Sequence, residues 1–413
     1  MSTAELLMAQ AQTQYVVADD ALAALRRDAQ ARLDQLGFPG RGTEAWKYTS
    51  LFPLEQGHLA TRATIATPRP LAALAPLQLV LCNGRLQTPP ALPAGLSLAR
   101  LDGSQAVDAE VISDALQTPF AWLNNATLED GLLLTVADDT DIELPVEVLL
   151  QAHSDAPAHC HTRLRVVLGR NSRLTLIERY SALGPVLTNA VTELVAGANS
   201  RLVHYRLQAE AQESLHIGTL VMAPARDAVI ECDQLMQGSA LRRNDVRAIL
   251  AEPGAHVALN GIFVGRGSTH TDNQVCLEHR TPHATSEQVY KGMAGDTAKL
   301  VFNGRIHIFP GAKGTDAQLS NKNLLLSPGC EVNSKPELVI YNDDVKCSHG
   351  TTCGQLDEQA LFYLRSRGVD AAEARRMLGL GFVNELLDAL PDPAVADWAR
   401  PWLAAALDET AEA

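Results

Sequence analysis

The 413 residues of this chain contain no apolar run near the eighteen or more that a membrane span requires. The opening MSTAELLMAQAQTQYVV lacks the basic stretch and unbroken apolar stretch of a secretory leader. A soluble, cytoplasmic protein with no membrane contact is the expectation. No lysine-rich or arginine-rich run is present, the net charge is −14 and the pI is near 5.3, so phosphate backbones are repelled and nucleic acid is a poor partner class. Cysteine is scarce: seven residues, at 82, 160, 232, 276, 330, 347 and 353, with no C-x-x-C pair and no dense framework. They read as reduced thiols. Also missing are a G-x-x-x-x-G-K-[ST] phosphate loop, a G-x-S-x-G nucleophile turn and an H-E-x-x-H zinc helix. GAKGTD at Gly311 shares letters with the first but not its spacing. Any ATP hydrolysis connected with this chain therefore falls to a partner.

What is there is globular, with 46% apolar and 20% charged residues. From Asp20 to Leu36 the residues Leu22, Leu25, Ala29, Leu33 and Leu36 recur at helical spacing before Gly37, which predicts an amphipathic helix with a glycine stop. The Pro-rich stretch from Thr67 to Pro93 reads as loops with short strands. Between about Leu132 and Ile340 helical periodicity gives way to runs such as RLRVVL, RLTLIE, HVALNGIFV and ELVIY, each after a small-residue turn. GRNSRLTL at Gly169 is echoed by GANSRLVH at Gly197, and AEPGAHVAL around Gly254 by SPGCEVN around Gly329. Strand-turn units repeating every 25 to 30 residues, roughly, predict a β-solenoid, in which each coil buries its face on the next. Because the period is ragged, a β-sandwich stays open from pattern alone. After Gly354 the pattern is helical again: Asp357 is placed to cap EQALFYLRSR, Asp370 and Glu373 have the D-x-x-E capping form, and Pro393 sits at the tolerated first position of AVADWARPWLAAALDE. The expected division is residues 1–131 mixed and helical, 132–354 solenoid, and 355–413 a helical subdomain.

Several polar clusters could hold a metal. His279 and His283 are four apart, but Pro282 between them rules against a zinc helix. In the group His153, His159, Cys160 and His161, strand alternation sends Cys160 to the opposite face, so a polar strand edge is the better reading. GRGSTHTDN at Gly265 lies between strands and reads as a solenoid corner rather than a dinucleotide loop. Cys347 and His349 form a C-x-H pair whose side chains share one face of an extended segment, a thiol and an imidazole suited to one soft metal or one partner surface, with a buried structural role the favoured alternative from the residues alone. Two ligands do not close a site, so any site there is open or shared between chains. Gly350 and Gly354 argue against the strand continuing far enough to align Cys353 as well.

The segment DVKCSHGTTCGQLDEQALFYLRSRGV, from Asp344 to Val369, resembles the C-terminal signature of the SufB/SufD family of iron–sulfur cluster assembly proteins. GRGTEAWKYTSL, from Gly40 to Leu51, resembles the N-terminal E-x-W-K-Y-T element of the same family. Together they span nearly the whole chain, and the Cys-x-His-Gly form favours the SufD branch; the family's usual H-G-A-T-x-G is changed at Thr351, and Cys353 fills the variable position. The resemblance implies a right-handed parallel β-helix flanked by helices, a non-catalytic scaffold, and pairing through the β-helix with a SufB-like subunit. It implies one SufC-like ABC ATPase held by the C-terminal helices, with sulfur arriving indirectly from a donor system. Cys347 and His349 then fall at the shared interface as ligands of a transient iron or cluster, and no tightly bound cofactor is expected. Tyr363 and Arg365 become exposed anchors for the ATPase, while Leu361 and Phe362 serve either packing or that contact. Self-pairing in the absence of the partner, the SufB branch, and a β-helix carbohydrate-active enzyme stay open as alternatives.

Overall fold

The computed structural model describes residues 2–40, 42–64, 67–101 and 116–407. It is mainly β, a solenoid of about eight turns with six described α-helices toward the ends. One face of the solenoid is built from β5 (Val146–His153), β7 (Arg173–Leu183), β9 (Arg201–Ala209), β11 (Val229–Gln237), β13 (His256–Gly265), β15 (Thr285–Ala294), β17 (Thr315–Leu325) and β19 (Val345–Gln355). The other is built from β4 (Leu132–Val136), β6 (Ala158–Leu168), β8 (Val186–Ala196), β10 (Leu215–Pro224), β12 (Leu241–Leu250), β14 (His270–His279), β16 (Lys299–Ile308) and β18 (Glu331–Ile340). Odd strands stack on odd and even on even, all parallel, so each turn of the chain adds one strand to each sheet. Strand-bearing chain starts well ahead of residue 132. β1 (Leu77–Cys82) pairs in parallel with β5, β2 (Arg85–Leu86) turns back on it, and β3 (Leu96–Arg100) lies antiparallel to β4.

The repeat read from the sequence is the physical coil. Arg173 pairs with Arg201, so GRNSRLTL and GANSRLVH lie one above the other in register. Val229, His256 and Thr285 continue that rung. The second echo is one of turn chemistry only, because Gly254 precedes a strand of the odd sheet and Gly329 one of the even sheet. At the corner before the odd strands the chain passes through the left-handed region at Asp139, Asn171, Asn199, Asp227, Gly254, His283 and Gly314. Asn and Asp tolerate that conformation because a short polar side chain can bond locally. Here they also form a ladder: Asn171 Nδ2 donates to Asp139 at 2.6 Å and Asn199 Nδ2 to Asn171 at 2.8 Å. The GRGSTHTDN segment forms the other corner, ahead of an even strand, between β13 and β14, with Gly267 at φ 60°.

Alternation along each strand divides the side chains between the lumen and the flanks. Leu174, Leu202, Ile230, Val257, Leu300 and Phe302 fill the lumen, where two sheets close on one continuous apolar core. The outer face of the even sheet is covered by α1 (Thr3–Gln12), α2 (Ala23–Leu36) and α3 (Pro119–Ala126), through Leu33, Trp46 and Phe120 against Leu187, Leu215 and Leu241. Gly37 ends α2 at φ 68° as expected, but Leu36 is exposed and Arg26 is buried, donating to the Leu128 carbonyl at 2.7 Å. α1 escaped the sequence reading, although its Ser2 and Glu5 form a reciprocal capping box.

The C-terminal helices lie against the opposite sheet. α4 (Glu358–Ser366) is capped by Asp357, and α5 (Ala371–Asp388) by Asp370, while Glu373 turns to Arg376 instead of back to the cap. α6 (Pro393–Leu407) starts on its proline; the last predicted residues of that helix, 408 and 409, lie outside the described residues. Val383, Leu387, Val395, Ala399 and Leu403 pack on Ile177, Tyr205, Leu207, Leu235 and Ile262 of the odd sheet. No helix of the described residues is long and apolar enough to cross a membrane.

Candidate open-end site of the solenoid

Among the described residues nothing stacks on the last coil. β19 and β18 are the free edges of their sheets, and in β19 no residue is fully buried. Cys347 and His349 stand on this coil. Cys347 pairs with Ala317 and His349 with Leu319, both lumen residues one coil down, so both side chains take the lumen face. Cys347 is half-buried against the core and His349 is exposed. β19 runs unbroken through Gly350 and Gly354, which overturns the expectation that the glycines would stop it. Cys353 therefore falls on the same face, paired with Asn323. Across the lumen Ser334 and Thr351 hydroxyls meet at 2.8 Å, and Ser334 donates to Asn321 at 2.7 Å, closing the floor of the site with small polar groups.

Burial pushes the Cys347 thiol above its ordinary value, with a backbone contact at Ala317 opposing and Asp316 adding to the rise. Burial and the neighbouring Cys330 raise that of Cys353. Both are protonated at neutral pH, so a thiophilic cation must displace a proton to bind. All seven cysteines are free thiols, and among the described residues no group of three or more His, Cys, Asp or Glu side chains is placed to hold a metal ion. The arrangement places a thiol and an imidazole on one open face, donor types that suit a soft metal ion but too few to close a site by themselves.

The other sequence candidates lie elsewhere. His159 and His161 are not at a strand edge: β6 is an inner strand, and residues 61 to 63 cover it through backbone bonds to His159. Their rings stand 4.7 Å apart, and burial, with Arg62 adding, pushes His159 down to about 3. His279 is buried against Ser286 at 2.9 Å, and His283 forms a corner.

The E-x-W-K-Y-T element reaches the same end of the molecule from the outside. Trp46 is buried under the Arg243 guanidinium, 3.9 Å above its ring, and that guanidinium also donates to the Ala45 carbonyl at 2.8 Å and to Asp272 at 2.6 Å. Thr49 donates to the same carboxylate at 2.5 Å. Exposed Tyr48 and Glu44 then overhang a polar groove of about 480 Å³ on β14, β16 and β18, with Arg305 and Lys335 in its wall. Arg243 could not be found from the sequence, because its partner is some two hundred residues away.

α4 projects beyond the sheets with no fully buried residue. Leu361 and Leu364 are half-buried, while Phe362 is 75% and Tyr363 58% exposed, with Arg365 also in solvent. Phe362 therefore packs little within this chain. The Arg367 guanidinium lies 5.3 Å over the Tyr363 ring.

Residues 150–382 match the family model described as SUF system FeS cluster assembly, SufBD core domain. The chain belongs to the SufBD family. This is a family of iron–sulfur cluster assembly proteins. The iron–sulfur cluster assembly protein SufD of Escherichia coli is 31% identical over 380 residues, covering 88% of this chain and 89% of that protein. An iron–sulfur cluster assembly SufBD family protein of Synechocystis is 29% identical over 403 residues, covering 90% and 88%. The SufD of Bacillus subtilis is 25% identical over 275 residues, covering 65% and 62%. For this SufBD-family chain the matched core takes in most of the solenoid together with α4 and part of α5, but stops short of the E-x-W-K-Y-T element.

Proposed function

We propose that this chain is a SufD-type scaffold subunit that acts in the cytoplasm and has no catalytic step of its own. It pairs through the open end with a SufB-like chain, and it carries a SufC-like ABC ATPase on its C-terminal helices. Iron or a nascent cluster is cargo at that junction, and sulfur reaches it through the partners. The single observation that carries this reading is the uncapped last coil with Cys347 and His349 on its lumen face. An exposed pair of sheet edges is a template for another chain, and a two-donor site is completed by whatever covers it. Exposed Phe362, Tyr363 and Arg365, with Leu361 behind them, give the ATPase an aromatic and cationic contact of the kind that dominates protein interfaces. For an enzyme reading the polar groove gives no support: of its carboxylates, Asp272 is held by Arg243 and Thr49, and Glu44 lies 3.5 Å from Lys335.

Co-expression with the cognate SufB-like and SufC-like chains and purification through this chain tests the assembly. A complex holding one SufB-like chain and two ATPases is expected; recovery of this chain alone, while the other two still associate, removes the proposal. Cys347→Ala and His349→Ala are each expected to change folding stability by less than about 0.5 kcal/mol, as for other poorly buried side chains. Both should lower maturation of a reporter iron–sulfur enzyme in cells. Full maturation in both variants would remove the site while leaving the assembly intact.

A further inference from the structure

At the end of the solenoid away from the open coil lies a pocket of about 280 Å³ that plays no part in the proposed assembly. We propose that it is a binding site for a compact multivalent oxyanion of the phosphate or polycarboxylate class. Three arginines line it, each from a different segment. Arg85 opens β2, Arg100 closes β3, and Arg62 lies in the segment bridged to His159 of β6. The turn before β2 makes this convergence possible. Asn83 and Gly84 pass through the left-handed region at φ 47° and 79°, and a Cβ on Gly84 would stand 2.5 Å from the His161 carbonyl oxygen. Only glycine lets the β1–β2 hairpin press so closely on β6. The Asn83 side chain then pins the turn: it accepts from the His153 amide at 2.8 Å and donates to the carbonyls of His153, at 3.1 Å, and Thr64. Arg62 is held in turn by the Thr127 carbonyl at 2.6 Å. The wall is thus set before any ligand arrives.

Two carboxylates share the pocket, both from the loop between α3 and β4. Glu129 sets one oxygen 2.7 Å from Arg62 Nη1 and the other 3.2 Å from Arg85 Nη2, while Asp130 comes no closer than 3.6 Å to Arg100. Glu129 shows what the site accepts, an oxyanion bridging two guanidiniums, the arrangement in which arginine forks take carboxylate or phosphate. It is a loose occupant. Its side chain is 42% exposed, and among the described residues Arg85 makes one hydrogen bond from its side chain, to Glu129, and Arg100 none, so most of their donors are left for a ligand. The other titratable groups in the wall are neutral. Burial, with His159 and Arg62 adding, holds His161 well below its ordinary value, and burial and Cys82 push the Cys160 thiol up to about 12 against the pull of Arg62. Three guanidiniums therefore face two carboxylates, a local excess of positive charge on a chain whose net charge is −14. The volume, at the lower end for small-molecule sites, favours a compact ion over a nucleotide-sized ligand.

Isothermal titration calorimetry of the full chain at low ionic strength, with inorganic phosphate, pyrophosphate and citrate as separate probes, tests the site. Saturable one-to-one binding of at least one probe is expected, and the arm that binds tells phosphate from carboxylate. Arg85→Ala and Arg100→Ala change largely exposed side chains, so the fold is kept, and each should weaken that binding by about tenfold, as the loss of a charge-assisted hydrogen bond does. Glu129→Gln keeps the shape and removes the competing charge, so it should tighten binding by about threefold or more. Absence of saturable binding by all three probes overturns the proposal. Binding that neither arginine variant weakens belongs elsewhere on the surface and overturns it as well. Binding that Glu129→Gln leaves unchanged or weakens places the anion away from the Arg62–Arg85 bridge, with the same consequence.

Discussion

Glu178 lies inside the lumen, a carboxylate with every donor it needs. Tyr180 and Thr192 hydroxyls donate to it at 2.5 Å, His204 Nε2 at 2.9 Å, and the Arg206 guanidinium stands 4.0 Å away. With Nε2 donating, His204 Nδ1 is left to accept from the Cys232 thiol at 3.3 Å. Burial alone would raise the Glu178 pKa, but Arg206 and the bonds from His204 and Thr192 outweigh it and bring it to about 2. Glu210 has the same balance, with His216 at 3.1 Å and Arg242 at 3.0 Å, and also falls to about 2. Each carboxylate is thus held in its charged form more firmly in the folded chain than at the ordinary value of 4.5. Their contribution to stability is complete above that value and is lost as pH falls toward about 2. Glu178→Gln leaves Arg206 buried without a counter-charge, and should cost about 3–5 kcal/mol at neutral pH, read from urea unfolding. In the variant the remaining stability should fall less steeply between about pH 5 and pH 3 than in the parent, because one buried carboxylate held in its charged form is gone. An equal slope in both proteins would mean that Glu178 is not charged in the fold.

At the scale of elements, the corner is what converts a row of strands into a solenoid. Asn199 sits there at φ 59°, and its side chain continues the ladder to Asn171. Asn199→Ala removes the ladder bond and places a Cβ residue without local compensation in the left-handed region, so a loss of about 1–3 kcal/mol is expected. Asn199→Gly keeps the backbone freedom and should lose clearly less, as thermal unfolding of the two variants would reveal. These corners are also why so much of the fold was legible. Asn, Asp and Gly recurring every 27 to 32 residues are local signals, and Asp357, Asp370 and Pro393 mark helix starts in the same local way. Less legible was anything decided by distant packing. β1 falls in the Thr67 to Pro93 stretch read as loops with short strands, but its place, and that of β3, in sheets built from residue 132 onward is decided by distant pairing. Glu178, His204 and Arg206 share the strand face of Leu176 and Leu202, but the groups that satisfy them lie on other strands, 14 to 28 residues away, which no local pattern shows. Cys347 and His349 were visible as a same-face pair, whereas the openness of their coil is a property of the end of the stack, which no local motif records.

Taken as a whole, the molecule keeps its two helical groups on opposite sheets, so in the proposed assembly partner pairing and ATPase contact would fall on different surfaces. That separation suggests a simple dissection, truncation after Gln355, but the packing argues against it. α5 and α6 cover Ile177, Tyr205, Leu207, Leu235 and Ile262, and Tyr205 Oη accepts from the Asp392 amide at 2.8 Å while Lys291 bridges to Glu385 at 2.8 Å. Removing these helices uncovers an apolar sheet face, and the truncated chain should aggregate or unfold at lower temperature before any binding defect can be read. α4 is the part that can be changed without that cost, since none of its side chains is fully buried. Phe362→Ala with Tyr363→Ala should leave thermal unfolding of the chain within about 0.5 kcal/mol of the parent. The same double variant should weaken ATPase binding by about 2 kcal/mol or more, while the SufB-like partner still co-purifies in full amount. If ATPase binding persists undiminished in a well-folded double variant, the dock lies on the exposed side of α5, where Met377 is the next large apolar side chain in solvent.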